Sequence, residues 1–242
     1  MKKRIDEFLV EKGLADSREK AKRLVMAGQV YIGEQRIDKP AQMVEETADV
    51  YVKEQFPYVS RGALKLEKAF REFKIDFKDK VIADIGASTG GFTDFSLQHG
   101  AKKSYAIDVG YGQLAHKLRQ DTRVINMERT HFLDVEILPE KIDIFVADVS
   151  FISLKKIIPH IKKIVQNQGE TSDVIALVKP QFEVGKEVAD RYKGVIVDQN
   201  IRSKVLKDIV DFTLSQGFKV LGTTESPIEG AKGNREYLIY FK

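Results

Sequence analysis

From about residue 57 onward the chain repeats one pattern: an apolar run, a turn, then an amphipathic stretch. The runs are "KVIADIGA", "KSYAIDVG", "RVINMER", "IDIFVADVSF", "DVIALVK", "KVLGTTES" and "EYLIYFK". Val174 to Val178 carries no polar residue on either face, which suits a strand buried on both sides. Between runs, "SLKKIIPHIKKIV" lines up Leu154, Ile157, Ile158, Ile161, Ile164 and Val165 as one helical stripe, and Pro159 is expected to kink it. Strands of this kind alternating with such helices predict an α/β fold, with a Rossmann-like, mostly parallel sheet covered by helices.

Residues 1–55 read differently, as a small α+β module. A linker at 56–60 and a larger module at 61–242 follow. "RIDEFLVEKG" sets Ile5, Phe8 and Leu9 at helical spacing and stops at Gly13. "DSREKAKRLVMAGQV" starts a second helix at Asp16 or Ser17, buries Ala21, Leu24 and Val25, and stops at Gly28. Gly33-Glu34 suits a type II′ hairpin turn, and "ADVYVKE" alternates like one more strand. Lys2, Lys3, Arg4, Arg18, Lys20, Lys22 and Arg23 crowd this module. They form either an ordinary solvated helix face or, if gathered on one side, a footprint for a phosphate backbone.

Bulk properties narrow the classes. Hydrophobic residues make up 43% and charged residues 31%, which marks a globular chain. The net charge of +4 permits a polyanionic partner without requiring one. With no cysteine there is no disulfide, thiolate metal site or thiol nucleophile, and no metal is expected. No run reaches the roughly 18 apolar residues of a spanning helix, and Asp6, Glu7 and Glu11 interrupt any apolar signal region. The expectation is a cytoplasmic protein with no membrane partner.

Ligands of such sheets bind at the carboxyl ends of the strands. The first strand of the larger module ends "ADIGASTGGFTDF". Its turn, Gly86, Ala87, Ser88, Thr89, Gly90, Gly91 and Phe92, is the candidate cofactor cradle, with Asp84 orienting it from the strand. The spacing is neither the dinucleotide fingerprint nor a P-loop, and a plain strand-to-helix turn is the bland alternative. Asp108 ends the second strand, placed to accept hydrogen bonds from both hydroxyls of a ribose. Glu128, after the third strand, falls where an adenine contact could lie, with Asn126 and Arg129 equally near. An acidic strand end with no basic phosphate site favours a nucleoside, and S-adenosyl-L-methionine has that character.

Two more charges end adjacent strands. Asp148 closes "VADVSF", which lacks the prolines of an amino-methyltransferase turn, and Lys179 closes "VIALVK". A structural ion pair is the simpler account, though it does not explain why both charges sit at the ligand edge. Pro180 is expected to hold Lys179 extended and to keep a helix from following at once.

Arg4-Ile5-Asp6, Ser17-Arg18 with Ala21, and Gly28-Gln29-Val30 resemble the S-four-like RNA-binding domain, apart from Gly33-Glu34 where Asn-Gly is usual. "SRGALKL", "DIGASTGGFT", "DVGYGQL", "MERT", "DVSFISL", "LVKPQFE" and "KGNREYL" resemble the FtsJ-type ribose 2′-O-methyltransferases, and the order of both modules resembles the TlyA family. "ADRYKGVIVD" departs from the commoner form of its segment, which puts the shape of a substrate-side loop in doubt. The resemblance implies a class I methyltransferase sheet, S-adenosylmethionine as cofactor and a catalytic tetrad of Lys65, Asp148, Lys179 and Glu236. It further implies ribosomal RNA or ribosomal subunits as partner, bound through Arg4, Arg18, Lys20, Lys22 and Arg23. Two rivals are a ribosome-assembly factor with a vestigial methyltransferase fold and a membrane-active haemolysin, a label that relatives carry.

Overall fold

A computed structural model describes residues 2–53, 56–169 and 171–242. They form two compact units, Met1–Pro57 and Tyr58–Lys242. The module edge drawn at residue 55 lies outside the described residues.

In the first unit, strand β1 (Lys2–Arg4) runs into helix α1 (Ile5–Glu11), and α2 (Arg18–Met26) follows. Ser17 caps α2, its hydroxyl accepting from Lys20 N at 3.2 Å. β2 (Val30–Ile32), β3 (Gln35–Arg36), β4 (Met43–Glu45) and β5 (Val50–Val52) complete it. β3, β2 and β5 make one antiparallel sheet, whereas β1 pairs with β4, a ribbon that the sequence pattern did not suggest. Ile5, Phe8, Leu9, Ala21, Val25 and Val30 close a small core.

The second unit opens with α3 (Ala63–Phe73), then β6 (Val81–Ile85), α4 (Gly91–Gln98), β7 (Lys103–Ile107), α5 (His116–Arg119) and β8 (Val124–Met127). β9 (Ile144–Ala147), α6 (Leu154–Gln168), β10 (Asp173–Val178), α7 (Pro180–Glu183) and α8 (Lys186–Arg191) continue it. α9 (Gln199–Ser215), β11 (Val220–Glu225) and β12 (Tyr237–Phe241) end it. The seven strands lie in the order β11-β12-β10-β9-β6-β7-β8, parallel from β10 through β8, with β12 antiparallel to both neighbours.

Strand residues alternate between two cores, as the pleat demands. Val174, Ala176 and Val178 face α6 and α9, while Ile175 and Leu177 face α3 and α4. α6 is continuous from Leu154 to Gln168 with Pro159 inside it, so the proline removes a donor without ending the helix. The expectation for Pro180 needs correction. Lys179 is extended, at φ −108° and ψ 100°, but a helical turn begins directly at Pro180. Proline's fixed φ and missing N–H suit the first helical position, so it starts α7 instead of delaying it.

Candidate active site

The parallel strands deliver Ile85, Ile107 and Ala147, and the residues just past them, to one edge of the sheet. β12 runs the other way. Its start therefore meets the end of β10, with Tyr237 opposite Val178, and Glu236 arrives beside Lys179. The first turn of α3 brings Lys65.

These four side chains form one cluster. Lys65 Nζ lies 2.8 Å from Glu236 Oε2 and 3.2 Å from Asp148 Oδ2. Lys179 Nζ lies 2.6 Å from Asp148 Oδ1 and donates to Ser150 Oγ at 2.9 Å. Gln181, from α7, donates to Glu236 Oε1 at 3.3 Å. Burial by itself disfavours the charge on Lys65, but Asp148 and Glu236 outweigh it and raise its pKa. Burial likewise works against the Asp148 anion, yet Lys179 and Lys65 prevail and hold it below the usual carboxylate range.

Two hollows meet beside the cluster. One, of about 620 Å³, is walled by Gly86, Asp108, Gln113, His131, Phe132 and Phe151 among others. The second, of about 320 Å³, runs from Ser60 and Gly62 past Asp84 to Lys179. Gly86, Ser88, Asp148 and Ser150 line both.

The glycine turn shapes the shared wall. Gly86 has φ +79°, and a Cβ there would sit 2.6 Å from the Asp148 carbonyl oxygen. Gly90, at φ +93°, packs under Leu114 and Leu118 and so lets the turn close, although it does not line either hollow. Ala87, Ser88, Thr89, Gly91 and Phe92 line the smaller one.

Asp84 is buried, and its Oδ2 accepts from Thr93 N at 2.9 Å and Thr93 Oγ1 at 2.7 Å. Its Oδ1 is buried without a hydrogen-bond partner among the described residues. Burial pushes its pKa up to about 7, against the pull of the Thr93 hydrogen bonds. Asp108 accepts from Ser88 N at 2.8 Å and Gly110 N at 2.7 Å, tying the glycine turn to the end of β7. Each of its oxygens keeps a second lone pair for a ligand.

Glu128 is not part of either wall. Its carboxylate turns to the Gly112 backbone N–H first and Leu114 second, which holds it below the usual range. Gln113, Thr130 and His131 stand in the cavity wall instead. These three and Ser150 were missed at the sequence level. Gln113 and Thr130 lie in the motifs "DVGYGQL" and "MERT", and Ser150 lies two residues from Asp148, so only His131 had no signal.

The basic residues of the first unit divide. Asp6 is fully buried and held by Arg4, at 3.0 Å, and by Arg18, at 3.2 Å. Lys20, Lys22 and Arg23 are exposed and have no ion pair among the described residues.

A mostly parallel seven-stranded sheet, with a glycine turn and an acidic strand end facing one cavity, defines a class I methyltransferase fold. The chain belongs to the FtsJ-like methyltransferase family, whose pattern matches residues 58–242, and an S4 domain matches residues 3–50. It is 40% identical over 243 residues to the 16S/23S rRNA (cytidine-2′-O)-methyltransferase TlyA of Mycobacterium tuberculosis, covering 99% of this chain and 89% of that one. It is 44% identical to Hemolysin A of Brachyspira hyodysenteriae, covering 98% and 99%. A solved structure from Streptococcus thermophilus that carries a hemolysin label superposes with a TM-score of 0.72 at 44% identity, covering 99% and 88%. Among the described residues no helix is long and apolar enough to cross a membrane.

Proposed function

We propose that this chain is an S-adenosylmethionine-dependent ribose 2′-O-methyltransferase acting on ribosomal RNA, with Lys65, Asp148, Lys179 and Glu236 as its catalytic group. The observation that carries the reading is the four-charge cluster, in which Asp148 lines both hollows and Lys179 lines the smaller one. The hollows fit the cofactor: Asp108 faces the larger one with free lone pairs for a ribose, and Asp84 has an unpartnered buried oxygen beside the smaller one, suited to an ammonium. Gly86, Ala87, Ser88, Thr89, Gly91 and Phe92 shape the passage between them. When bound, the cofactor supplies an electrophilic methyl group on sulfur.

The protein's part is to present a hydroxyl oxygen to that methyl group. An ammonium has three N–H donors and no acceptor. Lys179 donates one to Ser150 and forms an ion pair with Asp148 Oδ1 at 2.6 Å, which leaves a donor for the ribose 2′-oxygen. A lysine so engaged orients the hydroxyl and stabilises the charge growing on its oxygen. Asp148 fixes Lys179, and Glu236 fixes Lys65, which in turn fixes Asp148. Two positive and two negative charges leave the group neutral, which offsets part of the cost of burying them.

Phe151 is 90% exposed at φ +63°, a strained presentation for an aromatic residue, and packs on Phe182 at 5.0 Å between ring centres. Its free face is suited to stack on the base of a nucleotide drawn out of its helix. In the first unit Lys20, Lys22 and Arg23 are the cations available to RNA phosphates.

The test is to incubate the chain with labelled S-adenosylmethionine and either naked ribosomal RNA or ribosomal subunits, then map ribose methylation. Label at a 2′-oxygen is the expected result. Tight RNA binding without transfer to any RNA favours an assembly factor with an inactive fold.

A further inference from the structure

The geometry of the cluster leaves one chemical need unmet. The 2′-hydroxyl must lose its proton as it is methylated, and Lys179 donates to Ser150 while ion-paired with Asp148. Both oxygens of Asp148 are taken by lysines, and the carboxylate they hold is a weaker base than a free one. Glu236 lies behind Lys65, only 2% exposed, and lines neither hollow.

Ser150 is placed differently. It is exposed, it lines both hollows, and its oxygen is 2.9 Å from Lys179 Nζ. The ammonium can only donate, so the serine oxygen is the acceptor in that bond. Its own O–H makes no hydrogen bond among the described residues. A second lone pair remains. The side chain can therefore take a proton on its oxygen while releasing the one it carries.

We propose that Ser150 is a further catalytic residue, a relay that passes the 2′-hydroxyl proton from the ribose to water in the adjoining cavity. The inference rests on the ribose-methylation reading. The ribose O–H bond breaks and its proton moves to Ser150 Oγ, as the serine's original proton passes to a water molecule. The electron pair left on the 2′-oxygen forms the bond to the methyl carbon, and the sulfur keeps the pair of the bond that breaks. One proton is released for each methyl transferred, and the serine returns to its starting state. Lys179 stabilises the negative charge that grows on the 2′-oxygen as its proton leaves.

The test compares wild type, Ser150→Ala and Ser150→Thr in single-turnover methyl transfer, in H2O and D2O. Cofactor affinity and RNA affinity are measured separately by calorimetry. General acid–base groups typically contribute 10²–10⁴-fold, so Ser150→Ala is expected to slow transfer by about 100-fold or more. Both affinities stay within about twofold, Ser150→Thr recovers most of the rate, and the solvent isotope effect of wild type changes in the alanine variant. An alanine variant as fast as wild type overturns the relay. So does a threonine variant as slow as alanine, or loss of cofactor binding in Ser150→Ala, since either makes the serine only a brace for the site. A wild-type chain that methylates no RNA fails earlier, before any variant is made, and removes the ribose-methylation reading together with the relay.

Discussion

Two carboxylates in this chain are each bracketed by two cations, and they are built in opposite senses. Around Asp6 the carboxylate is fully buried, while the side chains of Arg4 and Arg18 are 37% and 47% exposed. Around Asp148 the lysines are the hidden partners, at 8% and 9%, and the carboxylate side chain is 21% exposed. The first arrangement is a staple: water reaches the arginines, and the anion pins the start of α1 to α2. We propose the second as a site, because its cations are desolvated and Lys179 lines the smaller hollow, where a ligand would replace water. Buried charge alone does not separate the two; the direction in which the cluster opens does.

The sharpest way to break this contrast is to remove one cation from the open cluster. Lys179→Ala is expected to lower methyl transfer to RNA by at least about 100-fold while cofactor binding measured by calorimetry is kept. Unchanged turnover would show that the Asp148 cluster, like that of Asp6, is only structural.

Asp84 supplies a pH test in the same unit. Its pKa is raised to about 7 in the folded chain, so burial of the carboxyl favours folding at low pH, and that contribution fades as pH rises through about 7. A bound ammonium favours the anion, so cofactor affinity should rise from pH 6 to pH 8. Asp84→Asn keeps an acceptor for Thr93, and it is expected to weaken the cofactor about tenfold at pH 8, flatten the pH dependence and leave Tm there unchanged or higher. A variant that binds the cofactor as wild type does would free Asp84 of any ligand role.

In the first unit the comparison sharpens between paired and unpaired cations. Replacing Lys20, Lys22 and Arg23 together with alanine should weaken RNA binding and reduce the slope of log affinity against log salt by about 2–3, roughly one unit per lost phosphate contact. An unchanged slope would move the RNA contact elsewhere. Asp6→Asn carries the smallest expected effect on activity. It should lower Tm by roughly 2–8 °C in a melting curve, and leave cofactor affinity as it was. A loss of cofactor binding in this variant would contradict its role as a staple.

Much of the larger unit was legible in the sequence. The runs around Val81, Lys103, Ile144 and Val174 are strands, and the stripe from Leu154 is a helix, because burial on both faces or on one stripe dictates composition. The turns at Gly13, Gly28 and Gly33 have positive φ, and Ser17 is the cap of α2. The pairing of β1 with β4 was not legible, since three-residue strands carry too little pattern. Nor was the pairing of Arg4 and Arg18 with one carboxylate, which depends on where Asp6 lies in three dimensions.

The run "VIALVK" illustrates where the division falls. By itself the sequence determined that a buried strand ends in a lysine, that a glycine turn and Asp108 end neighbouring strands, and that an α/β sheet brings such ends to one edge. These follow from local composition and from periods of 2 and 3.6 residues. Tertiary structure alone decided that β12 runs antiparallel and so sets Glu236 against Lys65, 171 positions away in the chain. It also decided that Lys179 reaches Ser150 and that Glu128 lines neither hollow. Those outcomes rest on strand direction and on competition among nearby donors, which no single segment of sequence encodes.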